Sequence, residues 1–246
     1  CLSADQSLEY RKKADEIKLP YKNRLNILDY VEYLPNTTII LDLKNCNEKI
    51  DWEEVKRYNI MTKSNLVLAL STLANVNECK KYNIKFYLNY PITTFYELQA
   101  LKNLGAEYAL IDSPLVQDII RAREVGIKLR VVPNVAYYAF IPREDGVCGS
   151  WIRPEDLPLY EEHVDIVKLA TRRHPYPEKI VKAYATYNYD GNLADLMDAC
   201  HKFPKSFDNK SFDDNKSIWE SVRSCKNAND CNHCGECTEL MSKVFT

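Results

Sequence analysis

The sequence predicts an α/β fold, a TIM-like (β/α) barrel followed by a small cysteine-rich tail. Three observations lead to this prediction: six short apolar runs recur along the chain, segments of helical periodicity separate them, and thiols are concentrated near the C-terminal end. Near-continuous apolar runs are typical of strands that are buried on both faces of a parallel sheet. Strands that alternate with helices indicate βαβ units. We therefore expect a barrel over residues 1–202, with a linker and the tail over 203–246.

The predicted strands and helices follow one another at fairly regular intervals. Strands are expected at residues 37–43, 66–71, 85–90, 108–112, 128–132 and 165–169. Helices are expected at residues 52–58, 75–82, 94–104 and 115–125. Gly105 and Gly126 follow two of these helices directly, as expected for a left-handed C-terminal cap.

The alternative to a barrel is an open doubly wound sheet. The sequence lacks the glycine-rich nucleotide-binding loops Gly-x-Gly-x-x-Gly and Gly-x4-Gly-Lys-Ser/Thr, which weakens that alternative. The chain begins with Cys1 instead of Met. This start is compatible with a preceding leader, a further domain or first units of the barrel, and equally with Cys1 as the native start.

The composition of the chain changes from about residue 187. Residues 203–216 are polar and lack apolar periodicity, so they are predicted to form a loop. A short helix is expected at residues 217–223 and a last turn at 239–245. Because the tail is too small for a core of its own, we expect metal binding to stabilise it.

Composition excludes several classes of protein. The formal net charge is −2, so no global basic field attracts nucleic acid, although a local patch is compatible with it. No apolar run reaches the ~20 residues that cross a bilayer. Nine cysteines form an odd number concentrated at one end, which favours reduced, metal-binding thiols over disulfides. We therefore expect a cytoplasmic protein without a membrane partner.

The cysteine run predicts a metal site. Three of its thiols have Cys-x2-Cys-x2-Cys spacing, which lets neighbouring thiolates converge on one centre. The expected ligands are Cys231, Cys234 and Cys237, with Cys225 as the fourth and Cys148 as the alternative fourth. Such thiols can bind a [4Fe–4S] cluster or, alternatively, zinc. Further candidates are Cys200 and His233, whereas Cys1, Cys46 and Cys79 are interpreted as ordinary thiols.

Polar residues follow the predicted strands, where the active-site face of a barrel lies. They are Asp42, Ser71, Thr72, Asn89, Asp112, Ser113, Asn134 and Lys168. Asp42 and Asp112 are candidate catalytic carboxylates, and Asn89 and Asn134 are candidate substrate-binding amides. The alternative for Asp112 is that it caps the following helix together with Ser113 and Pro114.

Lys168 and the residues after it form a cationic segment. An ammonium inside an apolar strand is costly unless it is paired or faces a polar pocket, so Lys168 is a candidate catalytic residue. Arg172, Arg173 and His174 follow it, and they suit a carboxylate or phosphate, although a solvated turn has the same composition. Tyr137, and Tyr138 beside it, are candidates for stacking on a planar substrate, with ordinary packing as the alternative.

The segment from Trp151 to Tyr184 resembles a stretch of peptidase family U32. It reads Trp-Ile-Arg-Pro-Glu-Asp-Leu, a short helix, Val-Asp-Ile-Val-Lys-Leu, Arg172-Arg173, and Lys-Ile-Val-Lys-Ala-Tyr. The part from Glu97 to Ala106 is also similar to the middle of that family. Lys168 and Arg172 match the family's strand-end Lys and Arg.

The resemblance implies a TIM-like barrel that carries an iron–sulfur cluster. It implies oxygen-independent hydroxylation of an RNA base or of a small planar metabolite, with Lys168 and Arg172 as catalytic candidates at matching positions. Asp42 and Asp112 join them as catalytic candidates from their strand-end positions, and Arg173 joins the substrate-binding candidates from the cationic segment. This chain departs from the family because it keeps only Cys148 near the usual cysteine insert. The alternatives are a non-catalytic scaffold subunit with a zinc-stapled tail that docks a partner protein and, less favoured, a protease.

Overall fold

The computed structural model describes residues 16–27, 37–43, 49–63, 65–89, 94–111, 116–134, 151–171, 174–197, 208–224 and 235–244. The chain forms two compact units. The first comprises Cys1–Pro91 and Tyr96–Ala109, and the second comprises Ile92–Phe95 and Leu110–Thr246. Each contains a β-sheet with parallel pairing, so the predicted α/β class is confirmed. Closure into a barrel stays a prediction.

The sheet of the first unit has four parallel strands in the order β1-β2-β3-β4. These strands are β1 Glu16–Pro20, β2 Thr38–Asp42, β3 Leu66–Leu70 and β4 Lys85–Leu88. A 3₁₀ helix, Tyr21–Asn26, follows β1, and another, Leu73–Asn75, follows β3. The described parts of the crossovers contain helices, as is usual between parallel strands. They include α1 Trp52–Met61 and α2 Val76–Lys81.

The N-terminus of α1 illustrates how the sequence sets a helix boundary. Asp51 has an extended backbone, and its Oδ1 accepts a hydrogen bond of 3.0 Å from the Glu54 N–H. This is an N-cap, and Glu53 and Glu54 add negative charge to the first turn, where the helix dipole favours it. Buried Val55 and Tyr58 then anchor the helix in the first unit.

The second unit contains a three-stranded sheet in the order β5-β6-β7. The strands are β5 Tyr108–Ile111, which crosses the boundary between the units, β6 Lys128–Val131 and β7 Ile166–Val167. The helices that follow β4 along the chain are α3 Phe95–Asn103, α4 Val116–Glu124, α5 Pro158–Glu161, α6 Pro177–Ala185, α7 Asn209–Asp214, α8 Lys216–Arg223 and α9 Glu236–Val244. Two 3₁₀ helices, Pro154–Asp156 and Leu193–Leu196, complete the described elements. None of the helices in the described ranges is long and apolar enough to span a membrane.

Two glycines end helices as the sequence predicts. Gly105 has φ +76° and Gly126 has φ +73°, the left-handed region that other residues enter at a cost. The Gly105 N–H donates to the Lys102 carbonyl and the Gly126 N–H donates to the Arg123 carbonyl, both at 2.9 Å. Each glycine therefore stops a helix just before the next strand begins.

All six predicted strands are present, but the sequence did not predict β1. Its sequence Glu-Ile-Lys-Leu-Pro alternates polar and apolar residues instead of forming a continuous apolar run. Ile17 and Leu19 are buried, whereas Glu16 and Lys18 are partly exposed. The strand pairs in parallel with β2 over its whole length, and this pairing is not visible in a five-residue segment alone.

Helix α7 lies where the sequence predicts a loop, so that prediction was wrong for Asn209–Asp214. The reason is tertiary packing. Phe212 is buried edge-on to Trp151, with ring centroids 5.4 Å apart, and Trp219 of α8 stacks on Trp151 at 5.5 Å. Three aromatic rings thus hold polar helices that have little apolar surface of their own. The predicted boundary at residues 202–203 lies outside the described residues.

A buried arginine reinforces this aromatic cluster. Arg153 is 2% exposed, and its Nη2 donates to Asp213 Oδ1 at 2.8 Å. Its guanidinium lies 5.3 Å from the centre of the Phe212 ring. Asp156 accepts a 2.8 Å hydrogen bond from the Trp219 indole N–H. Charge and ring contacts therefore join the 3₁₀ helix Pro154–Asp156 to both α7 and α8.

Tyr184 is a second buried polar anchor of this unit. Its hydroxyl donates to the Ile152 carbonyl at 2.7 Å, and burial raises its phenol pKa above the usual value. The hydrogen bond ties α6 to the segment that carries Trp151 and Arg153. Removing the hydroxyl would leave a buried carbonyl without this donor.

We predict that Tyr184→Phe lowers the free energy of unfolding by about 1–2 kcal/mol, measured by urea denaturation, because a buried hydrogen bond is lost. The matched control is Tyr187→Phe. The exposed Tyr187 hydroxyl bonds only to the Glu161 carboxylate among the contacts described, and we expect no measurable change in the midpoint. Equal midpoints for the two variants would contradict the assignment.

Candidate functional site

The two faces of the first sheet differ in chemistry. One face carries only apolar side chains, because residues alternate along each strand. These are Ile17, Leu19, Ile39, Leu41, Leu66, Leu68, Leu70, Phe86 and Leu88. The other face carries Lys18, Asp42 and Tyr87. The polar face of this sheet is the candidate functional site.

Lys18 and Asp42 form an ion pair on this face. The Lys18 Nζ lies 3.0 Å from Asp42 Oδ2, and the side chains are only 14% and 9% exposed. The Lys18 Nζ also donates to the Tyr87 hydroxyl at 3.3 Å. An ammonium of this burial needs such partners, since desolvation disfavours its charge. A carboxylate, an ammonium and a phenol are thus held together in a shielded position.

The parallel register explains how residues from three strands meet. Pro20 pairs with Asp42, Asp42 pairs with Ala69, and Ala69 pairs with Tyr87. Asp42 and Tyr87 are therefore two strands apart, about 10 Å between backbones. Ala69, on β3, lies between them on the same face of the sheet. A small residue on β3 is thus part of the site.

Tyr87 also takes part in an aromatic contact. Its ring stacks on that of Tyr108, with centroids 4.4 Å apart and planes inclined by 30°. Both side chains are buried in the first unit. The stacking fixes the position of the phenol that faces Lys18.

Two of the predicted site residues of the first unit are described. Asp42 ends β2 and belongs to the polar cluster, so its predicted position at a strand end is confirmed. Asn89 directly follows β4, and its N–H donates to the Leu70 carbonyl at 2.7 Å. Its side chain is half-buried. A role of Asn89 in substrate binding stays a prediction.

Asn134, in the second unit, has a structural role in the hydrogen-bond network. Its Nδ2 donates to the Ala170 carbonyl at 2.8 Å and to the Leu196 carbonyl at 2.9 Å, while its Oδ1 accepts from the Ala170 N–H at 2.7 Å. The residue is completely buried. Its amide joins the end of β6 to the segment after β7. The predicted contact of Asn134 with substrate has not been tested.

Lys168 follows β7, and its N–H donates to the Val131 carbonyl at 2.9 Å. The side chain is half-buried. His174, six residues later, accepts a 3.0 Å hydrogen bond at Nδ1 from the Tyr176 N–H, and its Nε2 contacts the Asp195 carbonyl at 2.5 Å. Since Nδ1 accepts, Nε2 carries the proton in this arrangement.

The other predicted site residues lie outside the described residues. They are Asp112, Tyr137, Cys148, Arg172, Arg173, Cys225, Cys231 and Cys234. Cys237 lies in α9, but its side chain is not described. Within the described ranges, no group of three His, Cys, Asp or Glu side chains could hold a metal ion. The predicted metal site therefore stays a prediction.

Sequence reasoning missed Lys18 and Tyr87. The signal for Lys18 is the one that singled out Lys168, a lysine between the apolar neighbours of a strand, but β1 was not predicted. Tyr87 lies inside the apolar run of β4, where packing was the simpler interpretation. Arg130, in β6 and only 1% exposed, is a further missed residue of the same kind.

Comparison with known proteins finds a similarity over part of the chain. No family model matches the chain. The chain is similar to an uncharacterized protease of Methanocaldococcus jannaschii, with 34% identity over 98 residues. This similarity points weakly to peptidase family U32. The aligned stretch is 39% of this chain and only 28% of that relative.

We predict that Lys18→Met lowers the free energy of unfolding by about 1–3 kcal/mol, because Asp42 loses the ammonium 3.0 Å away in a shielded position. The double variant Lys18→Met/Asp42→Asn should recover part of that loss. A double-mutant cycle in urea measures the coupling. Strictly additive effects of the two substitutions would show that the pair is not coupled.

Proposed function

We propose that this chain is an enzyme of the U32 type that hydroxylates an RNA base or a small planar metabolite. The observation that carries the proposal is the cluster of Lys18, Asp42 and Tyr87 on the polar face of a parallel sheet. In α/β enzymes, substrates bind at the carboxyl ends of parallel strands. Asp42 is the last residue of β2, so the cluster has this location.

The cluster offers chemistry that suits such a reaction. The Asp42 carboxylate can accept a proton from the substrate, and the Lys18 ammonium can stabilise negative charge that develops on an oxygen. The buried, stacked rings of Tyr87 and Tyr108 hold in place the phenol that faces Lys18. The predicted catalytic roles of Asp112, Lys168 and Arg172, and the predicted substrate contacts of Asn89, Asn134, Tyr137 and Arg173, stay predictions.

Hydroxylation by water releases two electrons, so the reaction requires an electron acceptor. With water as the oxygen donor, R–H and H₂O give R–OH, two protons and two electrons. The protons pass to bases such as Asp42, and the electrons pass to an external electron acceptor that the reaction mixture must contain. The proposal therefore includes a redox cofactor in the chain.

The proposed cofactor is a [4Fe–4S] cluster bound by Cys225, Cys231, Cys234 and Cys237, with Cys148 as the alternative fourth ligand. Four thiols with two Cys-x2-Cys steps match the donor set of such clusters, and also that of structural zinc. When bound, the cluster would supply one-electron redox chemistry. The resemblance to an iron–sulfur family favours iron over zinc.

We predict that anaerobically purified protein is brown and contains iron and sulfide, and that Cys231→Ser loses both. Cys79→Ser is the matched control, because Cys79 is a buried thiol of α2 outside the cysteine run. The control should keep the iron content and the visible absorption of the wild type. A colourless anaerobic preparation with stoichiometric zinc would refute the iron–sulfur assignment and favour the scaffold with a zinc-stapled docking tail.

We predict that the anaerobic protein, given RNA or planar phenolic acids and an electron acceptor, adds one oxygen atom to a substrate, as detected by mass spectrometry. Asp42→Asn should lower the rate at least a hundredfold through loss of the base. Asp190→Asn, at an exposed carboxylate, should leave the rate unchanged. Unaltered activity of Asp42→Asn would show that the cluster of Lys18, Asp42 and Tyr87 takes no part in catalysis.

The second candidate function is proteolysis, and the observation in its favour is the name of the similar archaeal protein, a protease. Cleavage of denatured collagen by the wild type, without oxygen addition to any substrate, would establish it. The described thiol does not provide a ready nucleophile. Burial raises the pKa of Cys79 to about 12, so the thiolate is scarce at neutral pH.

A further inference from the structure

An aromatic pair lies on the surface of the first unit. Trp52 begins α1 and Tyr82 directly follows α2, and the planes of their rings are inclined by only 3°. The ring centroids are 6.2 Å apart. Fully overlapping rings in van der Waals contact would lie about 3.5–4 Å apart, so each ring leaves part of the other uncovered. Since both residues are partly exposed, the pair offers aromatic surface to a ligand from solvent.

Two lysines adjoin the ring of Tyr82. The Lys81 Nζ lies 4.9 Å from the ring centre, and the Lys56 Nζ lies 6.0 Å from it. Both lysines are exposed, and cation–π contacts at exposed sites are weak. The Lys81 Nζ also lies 3.6 Å from Glu78 Oε2, in an exposed ion pair that is weak as well. Both ammonium groups can therefore turn from the ring to an incoming anion at low cost.

The part of the chain around this pair is strongly basic. Residues 56–85 contain six basic residues and a single acidic residue, Glu78, in a chain whose formal net charge is −2. The six are Lys56, Arg57, Lys63, Lys80, Lys81 and Lys85, and all are exposed. Local positive charge of this kind attracts a polyanion, although the chain as a whole does not.

Helical spacing and one hydrogen bond bring the two parts of this surface together. Lys56 is four residues after Trp52 and shares its face of α1. Asn59 is seven residues after Trp52 and lies on the same face. Its Nδ2 donates to the Asn83 carbonyl at 3.4 Å. The face that carries Trp52 and Lys56 therefore adjoins the turn after α2, where Tyr82 lies.

The carboxylates at the start of α1 lie elsewhere on the helix. Glu53 and Glu54 follow Trp52 by one and two residues, so they do not share its face. Glu54 Oε2 is paired with Arg24 Nε at 2.6 Å, and the Asp51 side chain caps the helix. These acidic groups therefore do not cover the face that carries the aromatic pair.

Aromatic rings flanked by exposed ammonium groups suit a single strand of nucleic acid. Its bases stack on aromatic side chains and its phosphates contact basic ones. A small planar metabolite would use the rings but not charge that extends over two helices. An acidic peptide would use the charge but not the rings, and a duplex keeps its bases stacked on one another.

We propose that Trp52, Lys56, Lys80, Lys81 and Tyr82 form a surface that binds single-stranded RNA. Bases of the strand stack on the two rings, and the lysines contact its phosphates. The inference rests on the proposed function, because it selects RNA from the two substrate classes named there. It adds a binding surface outside the cluster of Lys18, Asp42 and Tyr87.

The test is fluorescence anisotropy with the full chain and a labelled, mixed-sequence RNA of about 12 nucleotides, a length typical of such sites. We expect the single strand to bind at least tenfold more tightly than the same RNA annealed to its complement, because paired bases cannot stack on the rings. Polyglutamate at equal charge should not displace the strand. Displacement by polyglutamate, or tighter binding of single-stranded DNA of the same sequence, would overturn the assignment to RNA.

Trp52→Leu/Tyr82→Leu should weaken binding of the single strand at least tenfold at fixed salt concentration, because the bases lose their stacking partners. The matched control is Tyr96→Leu, which removes an 86% exposed ring of α3 outside the basic stretch. The control should bind as the wild type does. Circular dichroism checks that each variant keeps its fold.

Lys56→Gln/Lys81→Gln tests the phosphate contacts at exposed side chains, whose replacement leaves the fold intact. The logarithm of the binding constant falls linearly with the logarithm of salt concentration, by about 0.7 for each phosphate contact of a single strand. Loss of two contacts should therefore make this slope shallower by about 1.4. Lys182→Gln/Lys216→Gln, at two exposed lysines of α6 and α8, should leave the slope unchanged.

The inference is overturned if the two aromatic substitutions weaken binding no more than Tyr96→Leu does, or if the slope of Lys56→Gln/Lys81→Gln equals that of the wild type. The assay needs neither turnover nor a metal. RNA that binds but gains no oxygen would refute the proposed function and leave the surface standing. Hydroxylation of a phenolic acid by a chain that binds no RNA would refute only the surface.

Discussion

A lysine inside a parallel strand is the constraint on which the polar face of the first sheet depends. The Lys18 ammonium is shielded from water, so it requires partners, and Asp42 and Tyr87 supply them from β2 and β4. The three residues meet only if the strands keep their register. Register in turn is fixed by the opposite face, where an apolar set must stay buried, because a slip of one residue would turn it outward. The apolar face therefore determines the geometry of the charged one.

This dependence explains what the sequence could and could not predict. Continuous apolar runs located β2 to β7, and Gly105 and Gly126 located two helix ends, because these signals are local. Strand β1 was not predicted, because Lys18 interrupts its apolar pattern. Asp42 was recognised from its place at a strand end, but its partner was not, since pairing between distant segments is a tertiary property. Closure of the sheets into a barrel is likewise not encoded in any single segment.

The C-terminal tail is a second region where composition alone did not predict the structure. The polar composition of residues 203–216 predicts a loop, and the small size of the tail predicts stabilisation by metal, yet Phe212 and Trp219 pack against Trp151, and Asp213 pairs with buried Arg153. Two aromatic residues in a charged segment were enough to order α7 and α8. Packing thus contributes to holding residues 208–224, whatever the cysteine run binds. The proposed metal site needs to stabilise a shorter segment than composition alone suggests.

Ala69 gives the ion-pair cluster a sensitivity to volume. Its methyl group lies between Asp42 and Tyr87 in the ladder, on the face of the sheet that carries Lys18. A bulkier residue at this position would separate the three partners without altering a single charge. One apolar substitution at residue 69 would therefore disrupt the contacts among Lys18, Asp42 and Tyr87 while leaving all three ionisable residues in place. Among homologues, the size of residue 69 would then distinguish proteins that keep the contacts of Lys18 with Asp42 and Tyr87 from proteins that keep the three residues but not their contacts.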